Sequence, residues 1–226
     1  MKLILTCEHA SSAIPNEFSS IFKNHKKRLQ THEGYDIGAF EIFKTLEHIA
    51  DFSYHYSWSR LLIEVNRSLH HPSLFSSISK SLADEEKQNL QNHYYQPYRQ
   101  SIQNRIEEII NTGEIVLHLS IHSFTPILNG NIRNTEFGIL YDPKRKLEKE
   151  WAKNFKSELK SNFNNFRVRM NYPYLGKADG FTTSLRKKFP NNYIGIELEI
   201  NQKLFKKPFN FQDYTLKLQN CVSNLK

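Results

Sequence analysis

The sequence predicts an α/β fold: a mixed sheet flanked by helices, built as one domain over residues 1–226. Three observations carry that expectation. Short apolar runs of strand length alternate with longer segments of helical period, the pattern of a layered α/β protein. No repeat, low-complexity linker or break in composition divides the chain. The two strongest runs, 114–122 and Tyr193–Ile200, alternate polar and apolar residues at the period of two expected of strands.

Taken in order, Lys2–Cys7 reads as a short core strand and 8–16 as a loop of small residues. Tyr35–Phe52 places Ile37, Phe40, Phe43, Leu46 and Ile49 at helical spacing, with Asp36 at the start where an N-cap carboxylate belongs. Ser53–Tyr56 and Arg60–Val65 are expected to be strands. Residues 84–112 form a long helix, acidic in the first turn and closed by Gly113, with Pro97 expected to kink or offset it. The strand 114–122 follows directly. Thr135–Tyr141 is a further strand and Lys144–Asn162 an amphipathic helix. Phe166–Met170 is a strand, 171–176 a loop, Gly180–Phe189 a short helix, Tyr193–Ile200 a strand and 211–225 a terminal helix.

Composition narrows the function classes. The length suffices for one sizeable core, and 16 Phe with 11 Tyr make that core aromatic. The mean hydropathy of -0.61 is polar, and no apolar run approaches the roughly 20 residues needed to span a bilayer. At the N-terminus, Glu8 and His9 interrupt the apolar run too early for a signal sequence. Cys7 and Cys221 belong to no CxxC pair, which points to reduced thiols, a cytoplasmic location and no cysteine-based zinc site. The net charge of +8 raises nucleic acid as a partner. However, Lys and Arg are dispersed apart from 23–28 and 185–189, and no stacking aromatics interleave them. The charge is read as solvated surface able to attract a small anionic substrate.

The segment 116–126, VLHLSIHSFTP, is the main functional signal. His118, Ser120 and His122 share one strand face, and an unpartnered buried polar group costs roughly 1–3 kcal/mol. Either the histidines are satisfied core residues or they belong to a site. Other strands carry similar residues near their carboxyl ends: Glu8 and His9; Arg60, Glu64, Asn66 and Arg67; Glu197 and Glu199. In open α/β sheets that edge is where ligands bind. Histidines with carboxylates and an Asn-Arg pair suit metal-assisted amide hydrolysis, with a guanidinium to grip a substrate carboxylate.

Seven ordered blocks strengthen the second reading: CEHASSAIP (7–15), GYDIGA (34–39), SR with EVNR (59–67), HLSIHSFTP (118–126), NTEFGILYDP (134–143), NYPY-G (171–176) and IELEIN (196–201). Together they resemble the N-formylglutamate amidohydrolase family. The resemblance implies a zinc carboxypeptidase-like (phosphorylase/hydrolase-like) fold, one bound Zn2+, and hydrolysis of N-formyl-L-glutamate to formate and L-glutamate.

Carried onto this chain, the resemblance implies His9 and His122 as metal ligands, with Asp36 the first choice for a third and Glu8 the second. The HxxE pair of carboxypeptidases is missing, because Ser12 follows His9 at that spacing. Glu199 corresponds to the general base, with Glu197 its alternative. Arg67 and Asn66 match a carboxylate-binding pair, and Arg60 is a further anion-binding candidate. Asn201 stands where the family often has Arg, and Glu64 where it more usually has Asp. His118 lies about 13 Å along the strand from His122, too far to share one ion. The adjacent His70 and His71, in a polar loop before Pro72, read as surface. The alternatives are a non-catalytic carboxylate-binding protein on the same fold and a hydrolase of another N-acyl amino acid or small peptide.

Overall fold

The computed structural model describes residues 1–205 and 211–226. In chain order the strands are β1 (Lys2–Cys7), β2 (Phe52–His55), β3 (Val116–Phe124), β4 (Ile127–Leu128), β5 (Asn131–Ile132), β6 (Phe137–Leu140), β7 (Val168–Met170) and β8 (Tyr193–Asn201). The helices are α1 (Lys26–Leu29), α2 (Ala39–Leu46), α3 (Asp84–Leu90), α4 (Gln96–Asn111), α5 (Lys146–Asn162), α6 (Phe181–Lys188) and α7 (Phe211–Ser223).

Six strands form one mixed sheet in the order β2-β1-β3-β8-β6-β7, while β4 and β5 make a separate antiparallel ribbon. β2, β1, β3 and β8 run parallel; β6 joins β8 antiparallel, and β7 follows β6 in parallel. The expected mixed α/β sheet is therefore present. All nine residues of β3 are buried, as expected of a central parallel strand covered on both faces.

The alternation along the strands sorts two cores. Leu3, Leu5, Leu117, Leu119, Ile121, Ile196 and Leu198 pack on one face with Ile42 and Phe43 of α2, Phe155 of α5 and Leu218 of α7. Phe137, Phe163, Phe166 and Tyr214 form an aromatic cluster there, with the Phe137 and Tyr214 rings stacked at 5.7 Å. The other face carries Ile4, Val116 and Tyr193 under Ile102 and Ile106 of α4 and Phe181 and Leu185 of α6. Each such fully buried aliphatic or aromatic side chain contributes about 1.5–3 kcal/mol.

This layering positions the site. From β1 the chain crosses by α2 on one face to β2, then by α4 on the opposite face to β3. The order therefore reverses between β1 and β3, and their carboxyl ends flank a topological switch point.

Three sequence expectations need correction. The helix predicted over Tyr35–Phe52 starts at Ala39 and ends at Leu46, with a 3-10 turn at Glu47–Ile49 before β2. Gly38 breaks it with a left-handed φ of 84°, and Asp36 makes no cap; its carboxylate turns into the sheet edge. The strand predicted at Arg60–Val65 is a series of turns, closed by Leu62 N to Ser59 O and Arg67 N to Glu64 O. Leu61, Leu62, Ile63 and Val65 are all buried, so the apolar run is satisfied by packing without a ladder. The long helix over 84–112 is split into α3 and α4 by a π-helical turn at Gln91–Tyr95, next to Pro97, which has no N–H for the regular pattern. Among the described residues, no helix is long and apolar enough to cross a membrane. Cys7 and Cys221 are buried free thiols.

Candidate active site

At the switch point three side chains from three segments converge. His9 follows β1, Asp36 lies in the turn before α2, and His122 is near the end of β3. One Asp36 oxygen, Oδ2, faces both imidazoles: it lies 3.2 Å from His9 Nδ1 and 2.9 Å from His122 Nδ1. One atom from each residue falls within 4.8 Å of the others. Ligands about 2.0–2.1 Å from a tetrahedral ion stand about 3.3 Å apart, so this spacing matches a shared cation. Two histidines and a carboxylate, all buried, are also a donor set typical of a site that keeps a fourth position open.

The outer nitrogen of each ring is held by a carboxylate. His9 Nε2 donates to Glu64 Oε1 at 2.7 Å. His122 Nε2 lies 3.2 Å from Glu8 Oε2 and 2.8 Å from Ser120 Oγ. Ser120 Oγ donates to Glu8 Oε2 at 2.5 Å, and Tyr98 OH donates to Glu8 Oε1 at 3.1 Å. With Nε2 engaged, Nδ1 is left as the coordinating nitrogen of both rings, the arrangement that orients histidines in metal centres. Glu8 therefore stands behind His122 and does not join the three converging donors; Asp36 does.

Charge complementarity offsets the burial of these groups. Burial would raise the Glu8 carboxyl, but the hydrogen bond and charge of His122 hold it well below the usual carboxylate range. Burial likewise opposes ionisation of Asp36 and Glu64; His9 and His122 outweigh it for Asp36, and Arg60 and His9 for Glu64. The same carboxylates outweigh burial on the imidazoles: His122 is raised well above its ordinary value by Asp36 and Glu8. His9 is raised by Glu64 and Asp36 against burial and Arg60.

Glu199 is different. The β3–β8 register sets it opposite His122, on the same face. It is 5% exposed, and its Oε2 is buried with no hydrogen-bond partner. Burial, reinforced by Asp36 and Glu197, pushes its carboxyl up to about 8. An unpartnered carboxyl beside a ligand cluster, shifted towards neutral pH, is suited to proton transfer. Gly138, the β6 residue paired with Glu199, lets the 171–176 loop close over this strand: a Cβ there would fall 1.7 Å from the Tyr172 carbonyl oxygen and 3.2 Å from Glu199 Cβ. Glu197 opens into the same cavity but accepts a hydrogen bond from Thr182 Oγ1, so it is already engaged.

The cavity in front of these residues has a volume of about 210 Å³ and is lined by His9, Asp36, Arg60, Arg67, Glu199 and Tyr174, among others. That is below the roughly 300–1,000 Å³ of sites for drug-sized ligands and suits a small metabolite. Arg67 reaches it with a guanidinium that donates to the Asp179 carbonyl. Behind it, the Arg67 carbonyl accepts from Tyr95 OH at 2.7 Å and Arg99 Nη1 at 3.3 Å. Asn66 also lines the cavity; its Oδ1 accepts the Phe181 N–H at the start of α6 at 2.7 Å. Arg60 is placed differently from a free anion binder: Nε bonds Glu64 Oε2 at 2.7 Å and Nη1 lies 3.5 Å from Asp36 Oδ1, so its charge is balanced within the protein.

Sequence reasoning did not single out Glu64, Ser120, Tyr98, Arg99 or Asp179 for these supporting places. For Glu64 and Ser120 a signal existed, a carboxylate in the Asn-Arg block and a hydroxyl two residues before His122. For Tyr98 and Arg99, on α4, no local pattern points to the site. His118 lies away from the cluster, as the strand spacing predicts. His70 is exposed, whereas His71 is half-buried.

Comparison with known proteins identifies the family. The family model of N-formylglutamate amidohydrolase matches residues 1–206. The chain belongs to that family. No curated protein sequence matches it. Among solved structures, a gene product of Agrobacterium tumefaciens is 25% identical, with 99% of this chain and 88% of that one covered at a TM-score of 0.81. The N-formylglutamate amidohydrolase of Ralstonia eutropha JMP134 is 17% identical, with 100% and 92% covered at a TM-score of 0.70, and shares the fold. Membership supports amidohydrolase activity for this chain.

Proposed function

We propose that this chain is a metal-dependent hydrolase of N-acyl amino acids, with N-formyl-L-glutamate as substrate, held at the edge formed by β1, β3 and β8. The observation that carries the reading is the buried, unpartnered Glu199 Oε2 beside the converging His9, Asp36 and His122. His9 Nδ1, His122 Nδ1 and Asp36 Oδ2 would hold one divalent cation, for which zinc fits the donor set. When bound, that ion supplies Lewis-acid polarisation of the amide carbonyl and acidifies water.

The chain's own residues do the rest. Arg67 binds the substrate carboxylate through its guanidinium, and Asn66 stands beside it on the cavity wall. Glu199 takes a proton from the attacking water as the oxygen adds to the formyl carbon. It then delivers that proton to the departing nitrogen as the C–N bond breaks, so formate and L-glutamate leave. The small cavity excludes bulk water and limits the acyl group. The two buried free thiols support a reducing, cytoplasmic setting.

The test is formate release from N-formyl-L-glutamate by zinc-loaded protein, with bound zinc quantified. Stoichiometric zinc and chelator-sensitive turnover are expected, and Glu199→Gln should lower kcat about 10²–10⁴-fold while retaining zinc. Zinc-loaded protein that binds carboxylates yet cleaves no N-acyl amino acid would instead identify a non-catalytic carboxylate-binding protein.

A further inference from the structure

The β4–β5 ribbon brings one more cation to the carboxyl edge of β3. Arg133 follows β5, and its backbone N–H donates to the Pro126 carbonyl at 2.7 Å. Asn201, at the end of β8, fixes this segment by donating from Nδ2 to the carbonyls of Arg133 and Thr135, both at 2.8 Å. The Arg133 side chain is buried, at 8% exposure. Yet among the described residues no carboxylate pairs with it. Nε donates to the Thr125 carbonyl at 2.7 Å, Nη2 donates to Thr125 Oγ1, and Nη1 reaches Tyr174 OH only at 3.4 Å. The guanidinium carbon lies 5.1 Å from the centre of the Phe124 ring.

A buried guanidinium with neutral partners alone keeps an uncompensated charge. Two other buried arginines resolve this in other ways. Arg186 pairs with Glu148 at 2.9 Å. Arg99 lies against the Tyr95 and Phe181 rings and donates to the carbonyls of Val65 and Arg67 and to Ser184 Oγ, which ties it into packing. Arg133 instead ends at a long contact with Tyr174. That tyrosine is 48% exposed and lines the cavity with Arg67 and Glu199. A carboxylate that replaces the Tyr174 hydroxyl at Nη1 gains a charge-assisted hydrogen bond and supplies the missing counter-charge.

We propose that Arg133 binds the second, side-chain carboxylate of a dicarboxylic substrate while Arg67 binds the first, so that Arg133 selects acidic over neutral N-acyl amino acids. This rests on the N-acyl amino acid reading above. It explains how a site whose Arg60 is balanced internally accommodates a ligand with two negative charges.

The test compares zinc-loaded wild type, Arg133→Met and Arg133→Lys on N-formyl-L-glutamate and N-formyl-L-methionine, and measures binding of glutarate and butyrate by calorimetry. Arg133→Met should lose about 10- to 100-fold in glutarate affinity and in kcat/KM for N-formyl-L-glutamate, mostly through KM. N-formyl-L-methionine turnover, butyrate binding and zinc content should stay within about threefold. Arg133→Lys keeps the charge without the fork and should show a smaller loss of the same selectivity, which decides the matter if the methionine variant fails to fold. Equal losses on both ligand classes, or none, would overturn the assignment. Arg133-dependent glutarate binding by a wild type that cleaves neither substrate would uphold Arg133 and reject the hydrolase. Normal cleavage with an unchanged KM in Arg133→Met would reject Arg133 alone.

Discussion

His118 and His122 lie four residues apart on the same face of β3, are equally buried, and meet opposite environments. His118 is closed in by neutral hydroxyls: Thr6 Oγ1 lies 2.8 Å from Nε2 and Tyr193 OH 2.6 Å from Nδ1. Burial pushes its imidazole down to about 4, against the opposing pull of Glu8. His122 stands between Glu8 and Asp36 and is raised. The residue type is the same; what differs is distance from the sheet edge. In mid-strand the neighbours are strand residues in register, Ile4 and Gly195 beside His118. At the edge, loops leaving β1 and entering α2 bring in carboxylates. A buried histidine becomes part of a site when the topology places loops, rather than strands, around it.

Three substitutions sharpen or break that contrast. The largest effect is expected from His122→Ala, which should abolish stoichiometric zinc binding and with it turnover. Full zinc occupancy in that variant would remove His122 from the ligands. Next is Glu8→Gln, which keeps shape but weakens the grip on Nε2. Metal titration should show zinc affinity reduced about 10–100-fold, and an unaltered affinity would make Glu8 a packing residue only.

The smallest effect on the site belongs to His118→Gln, with zinc content and kcat within about threefold of wild type. Its signature lies in stability. Because folded His118 takes a proton only near pH 4 while an unfolded histidine takes one near 6.5, the unfolded state binds more protons between those values. Stability present above pH 6.5 is therefore lost as the pH falls towards 4, by roughly 3 kcal/mol. Chemical denaturation of His118→Gln across that window should show a shallower acid slope than wild type. An identical slope would mean that His118 is solvated or charged in the fold.

Much of the fold was legible because its strongest strands carry their burial in alternation. Along β8, Ile194, Ile196, Leu198 and Ile200 oppose Glu197 and Glu199, so the period of two assigns both faces by itself. Where burial does not follow alternation, the reading failed. Leu61, Leu62, Ile63 and Val65 are apolar enough for a strand but pack as turns, since an apolar run specifies burial without specifying a ladder. A helix over Tyr35–Phe52 overextends because the apolar spacing carries no trace of the left-handed turn at Gly38. The same local logic made Asp36 ambiguous: a cap in sequence, a convergent carboxylate in space.

The sequence alone determined which side chains share a face, which residue types stand near strand ends, and that His118 and His122 cannot reach the same point. These follow from the fixed rise and period of a strand. Only the tertiary structure decided that Asp36 and not Glu8 meets the two histidines, that Arg60 is balanced internally, and that Arg133 arrives without a counter-ion. The first joins residues 27 and 86 apart in sequence and the last leaves Arg133 against Tyr174, 41 residues away, relations set by strand order and by the crossovers on either face of the sheet. No local periodicity encodes them.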